Sequence, residues 1–65
     1  MAIPQYSRAR VRTERFLDEG VRKGDLGWII ENYPDGVYEV EFSNAQGITV
    51  AQIVATDDDL EPAEQ

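Results

Sequence analysis

Apolar and polar positions alternate with a period of two along much of this chain, which predicts β-strands. Arg8, Arg10 and Arg12 alternate with Ala9 and Val11, giving a first half-buried strand. An amphipathic helix over Tyr6–Phe16 fits less well, because Val11 and Phe16 do not share a helical face and Thr13 falls in its middle. Leu26–Tyr33 reads as a second strand whose apolar run breaks strict alternation, and a bulge near Gly27 is expected. Val37–Ser43 alternates cleanly, with Tyr38, Val40 and Phe42 on one face and Glu39 and Glu41 on the other. Ile48–Ala55, rich in β-branched residues, predicts a fourth strand. Leu60–Pro62 predicts a short edge strand, where Pro62 is tolerated because an edge need not donate to a ladder.

The connections carry their own signals. Pro34-Asp35-Gly36 and Asn44-Ala45-Gln46-Gly47 predict two tight hairpins. Phe16–Asp25, with two glycines and several charges, predicts a long loop folded over the body with Leu17 or Val21 pinned inside. Thr56-Asp57-Asp58-Asp59 predicts a single helical turn capped by Thr56 or Asp57. Five short strands at this rhythm predict an all-β fold, a small five-stranded barrel closed by pairing of the last strand with the first. The expected organisation is a flexible lead-in over residues 1–7, one domain over 8–62 and a tail over 63–65.

Length and charge narrow the function. A chain of 65 residues hides only about 60% of its unfolded surface, leaving no room for a core plus a deep cleft. Cysteine and histidine are both absent, which removes thiolate chemistry, the commonest general base and the commonest zinc ligand. Residues 1–23 carry six cations and three carboxylates, a net +3; residues 24–65 carry ten carboxylates and no cation, a net −10, giving −7 together. This balance disfavours nucleic acid and anionic membrane as partners and favours a basic protein. The acidic surface also favours a monomer when the chain is free. Met1-Ala2-Ile3-Pro4 lacks the apolar run of a signal peptide, so the expected compartment is the cytoplasm.

The segment Lys23-Gly24-Asp25-Leu26-Gly27, the run Tyr38-Glu39-Val40-Glu41-Phe42 and Gly47-Ile48-Thr49 together resemble a small bacterial family, domain of unknown function 4926. The resemblance runs from about Val11 to Leu60 and implies an SH3-like barrel. Trp28 departs from the small or polar residue the pattern leads one to expect. Members tend to be encoded beside toxin-like proteins, so the resemblance implies an antitoxin or immunity role. Gly24, Asp25 and Gly27 have a structural reading: a sharp turn, a carboxylate that accepts turn amides, and a close backbone approach.

Candidate chemistry is sparse. Asp57, Asp58 and Asp59 with Glu61 lack the alternating ligands and mid-loop glycine of a calcium loop. Glu39 and Glu41 are close, but an outward sheet face keeps both ionised, and Ser7 and Ser43 have no histidine to activate them. No enzymatic activity, metal or cofactor is expected. The arginine stripe is expected to pair with acidic neighbours, Glu61 among them. Trp28 reads either as core or as an interface anchor. The function expected is a non-enzymatic acidic module of antitoxin or immunity type that grips a basic protein partner through Trp28, Glu31, Tyr33, Glu39, Glu41, Asp57, Asp58 and Asp59. Alternatives are an accessory SH3-like subunit of a larger enzyme or electron-transfer complex, and an RNA- or ribosome-binding module.

Overall fold

A computed structural model describes residues 3–63. It contains five strands: β1 (Arg8–Val11), β2 (Leu26–Tyr33), β3 (Val37–Ser43), β4 (Thr49–Thr56) and β5 (Leu60–Pro62). Two 3-10 turns, Leu17–Glu19 and Asp57–Asp59, interrupt the connections after β1 and β4. All pairings are antiparallel, and the strands lie in one sheet in the order β4-β3-β2-β1-β5. The last strand does pair with the first, Arg10 opposite Glu61. The sheet is nevertheless open rather than a closed barrel. Closure would require β4 to pair with β5; the short Asp57–Asp59 turn keeps the end of β4 near the start of β5, yet no ladder joins them among the described residues. No helix among the described residues is long and apolar enough to cross a membrane.

The core follows the alternation. Ala9, Val11, Ile29, Tyr38, Val40, Phe42, Ile53 and Ala55 point to one side and are buried. Phe16 and Val21 from the long loop close over them, whereas Leu17 stays 47% exposed. Of the two residues expected to pin that loop, Val21 does so. The segment expected to be a loose lead-in packs against the body over its described part. Ile3 is buried, its N–H donates to Tyr38 Oη at 3.1 Å, and its carbonyl accepts from Asn32 Nδ2 at 2.8 Å. Tyr6 N–H donates to the Ile29 carbonyl and Ile29 N–H to the Ser7 carbonyl, so the ladder beside β2 begins before β1.

The bulge lies three residues beyond its expected place. Gly27 pairs in register with Ala9, while the shift falls between Ile29 opposite Val40 and Glu31 opposite Glu39. Ile30 is the extra residue, and it explains the unbroken run Trp28-Ile29-Ile30-Glu31: inward and outward positions exchange parity across it. Gly27 serves packing instead. A β-carbon there would sit 2.7 Å from Val40 Cγ1 and 2.8 Å from Phe42 Cε2. The turn before it matches expectation, with Gly24 at φ 95° and Asp25 Oδ2 accepting from Arg22 N–H at 2.9 Å. In the β2–β3 hairpin Asp35 and Gly36 both take the left-handed conformation.

Candidate functional site

The face away from the core is set by the same register. Gly27 and Ile29 point inward, so Trp28 between them points outward, with Arg8 beside it on β1 and Glu41 on β3. The Arg8 guanidinium carbon lies 4.9 Å from the indole centroid, a cation–π contact that covers part of the ring. Trp28 remains 38% exposed. This resolves the choice between core and surface: the indole is a surface aromatic, clamped on one side by its cross-strand cation.

The next row brings Glu31 opposite Glu39 and Glu39 opposite Val54. Like charges facing each other across a sheet are destabilising. Here Glu39 is stabilised by two donors: Tyr33 Oη–H to Oε1 at 2.6 Å and Gln52 Nε2–H to Oε2 at 2.5 Å. The bond from Tyr33, then that from Gln52, holds the Glu39 carboxyl below its ordinary range, and the same bond raises the Tyr33 phenol. Glu39 is thus an oriented carboxylate, ionised at neutral pH. Glu31 and Glu41 have no side-chain hydrogen bond or ion pair among the described residues and can receive a partner's cation. Five of the expected residues, Trp28, Glu31, Tyr33, Glu39 and Glu41, therefore share one face.

The three aspartates divide differently. Asp57 Oδ1 accepts from Tyr38 Oη–H at 2.6 Å, a bond that raises the Tyr38 phenol. Because Tyr38 belongs to the inward set, Asp57 works on the core side of the sheet. Asp59 is only 6% exposed. Arg15 donates to it twice, Nε to Oδ1 at 2.9 Å and Nη2 to Oδ2 at 2.6 Å. Thr56 donates to Asp59 Oδ2 twice, from its N–H at 2.9 Å and from its Oγ1–H at 3.2 Å, and the N–H bond is the Asp59 half of a capping box. Arg15 first, and the Thr56 bonds after it, hold Asp59 below the usual carboxylate range despite its burial, and the pair raises Arg15 in return. Asp59 was expected on the partner surface; its burial beneath Arg15 makes it a structural residue instead. Asp58 alone of the three is exposed without a partner among the described residues.

The arginine stripe is occupied within the molecule. Arg8 lies over Trp28, Arg10 Nη1 donates to the Gly24 carbonyl at 3.0 Å, and Arg12 Nε lies 3.8 Å from Glu61 Oε1, the pairing expected. Exposed pairs such as Arg12–Glu61 are worth about 0–1 kcal/mol. A shallow cleft of 230 Å³ lies at this end, lined by Ile3, Arg12, Asp57, Asp58, Glu61 and Pro62 among others. That is below the roughly 300–1,000 Å³ of small-molecule sites. No group of three carboxylates among the described residues converges as a metal site.

Sequence reasoning missed Arg8 on the Trp28 ring, the Tyr33–Glu39–Gln52 chain and the Arg15–Asp59 pair. The signal for the last was present in Thr56 and Asp59, spaced as a capping box. Its basic half lies 44 residues away, where spacing carries no information.

A family model described as Domain of unknown function (DUF4926) matches residues 4–62, and the chain belongs to that family. Neither a curated protein nor a solved structure gives a significant match.

Proposed function

We propose that this chain is a non-enzymatic, acidic protein-binding module whose outer sheet face takes a basic partner protein, in the manner of an antitoxin or immunity protein. The observation that carries this reading is one half-exposed indole, Trp28, set among Glu31, Glu39 and Glu41 on a rigid antiparallel sheet. An aromatic anchor supplies burial and slows release, while carboxylates around it steer a cationic partner and fix its orientation. Tyr33 and Gln52 fix the orientation of Glu39 before binding, which reduces the ordering cost of the contact. The strand order, the long loop after β1 and the 3-10 turn between β4 and β5 support an SH3-like classification.

The test is capture of a partner at low ionic strength from cells that encode the chain, then titration of the purified pair. Affinity should fall steeply between about 50 mM and about 500 mM NaCl, where the screening length shortens several-fold. Trp28→Ala should weaken binding roughly 30-fold, a loss of about 2 kcal/mol. An affinity indifferent to salt and to Trp28→Ala would overturn the reading. Ile48, Val50 and Val54, all well exposed along β4 and just before it, favour a second reading as an accessory subunit with a permanent neighbour. Stoichiometric co-purification with a larger enzyme would select it.

A further inference from the structure

The two edges of the sheet differ in a way that the proposed partner face leaves unused. β4 is eight residues long, Thr49–Thr56, and pairs only with β3 among the described residues. It lies within Phe42–Thr56, a stretch of the chain without a single charged residue. Val50 (60% exposed) and Val54 (55%) stand on it, and Ile48 (61%) directly precedes it. Lysine, proline and inward-pointing charge, three of the usual guards of a free edge, are missing from it; a bulge sets Val50 out of register with β3 but leaves Ala51–Thr56 regular.

The hydrogen-bonding groups of that edge can be located. In an antiparallel strand a residue's N–H and C=O point to the same side, and successive residues alternate. Asp57 N–H donates to the Gly36 carbonyl, toward β3, while Thr56 N–H turns away from β3 to Asp59. Counting back, Val54 and Gln52 direct their N–H and C=O away from β3, and Ala55 and Ile53 bond to it. The 3-10 turn Leu17–Glu19 packs beside β4 but makes no backbone hydrogen bond to it.

We propose that β4 of one copy pairs antiparallel with β4 of a second copy about a two-fold axis near Ile53, joining two five-stranded sheets into one. In that register Gln52 of each copy faces Val54 of the other, and all four outward groups of these two residues are used in each copy. Charge selects the occupant. Two bodies of net charge −7 repel over most of their surfaces; Phe42–Thr56 itself carries no carboxylate, so along this edge the repulsion comes from neighbours such as Asp18 and Glu19 on the turn beside β4, and salt can screen it. The dimer replaces the monomer expected from charge alone and leaves both Trp28 faces open. It does not depend on the basic-partner reading.

Sedimentation of the whole chain tests this, and salt separates it from partner binding because the sign reverses. At about 0.5 mM chain, raising NaCl from about 50 mM to about 500 mM should move the mass from near 7.3 kDa toward twice that value, as repulsion is screened. Val54→Lys should weaken self-association at least about tenfold although it reduces the net negative charge from −7 to −6. Val54→Pro, which removes one outward N–H and no bond to β3, should do the same, with Trp28 fluorescence and thermal melting reporting that each variant is folded. A mass that stays at 7.3 kDa in high salt overturns the proposal. So does a dimer that both variants leave intact, which would use another face. Loss of basic-partner capture in Val54→Pro, which adds no charge beside Glu39, with the dimer retained would assign the edge to that partner, and would equally overturn it.

Discussion

The β5 edge and the β4 edge bound the same sheet but are finished in opposite ways. β5 is three residues long, ends in Pro62, and carries Glu61 paired with Arg12. Beside it Asp59 gathers Arg15 and Thr56, and Arg12 N–H donates to the Asp59 carbonyl. Charge, proline and brevity leave little for another strand to pair with. The β4 edge is long, β-branched and uncharged, and behind it Ile53 and Ala55 fill the core. One edge is finished by directional polar bonds and the other by aliphatic packing. They should respond differently to pH, salt and truncation.

The largest effect should come from the apolar end. Ile53→Ala should cost about 2–5 kcal/mol. A domain of this size holds roughly 3–10 kcal/mol in all, so the variant should be partly unfolded at room temperature by denaturant titration. The loss should be the same at pH 7 and pH 3, since no ionised group takes part. Asp59→Asn at the polar end should cost about 2 kcal/mol, lowering Tm by roughly 8–16 °C at neutral pH. Here pH matters. The folded-state pKa of Asp59 is depressed, so its contribution is complete above the unfolded value of about 3.9 and is lost as pH falls through the lower folded value. Wild type and Asp59→Asn should therefore converge in acid; a constant gap down to that range would remove the ion pair from the account.

Gly27→Ala probes the middle of the sheet, where both ends share the core. The added methyl would meet Val40 and Phe42, and a loss of about 1–3 kcal/mol by thermal melting is expected. The smallest effect belongs to Arg12→Ala, under about 1 kcal/mol and vanishing in high salt, because Arg12 and Glu61 are both well exposed. A larger loss would mean that the β5 edge depends on this pair rather than on Asp59.

Much of this contrast was legible along the chain, because the elements obey local rules. β2, β3 and β5 begin and end where the alternation and turn residues place them, and Thr56 caps its turn as expected. The bulge was displaced from Gly27 to Ile30 because a glycine in a strand can mean either a bulge or a close approach, and here Val40 and Phe42 require the second. Closure of the sheet was not legible. It depends on where the β4–β5 turn delivers the chain, which no period of two encodes. The site followed the same division: Trp28, Glu31, Tyr33, Glu39 and Glu41 share a face by register, while Asp59 was lost to Arg15 across 44 positions.

Residue-resolved amide hydrogen exchange tests most directly whether the β4 edge is free. In dilute, low-salt solution Gln52 and Val54 amides should exchange rapidly, while Ile53 and Ala55, bonded to β3, should exchange slowly. At high concentration and high salt the first pair should slow toward the second. Uniform protection of all four in dilute solution would contradict an open edge.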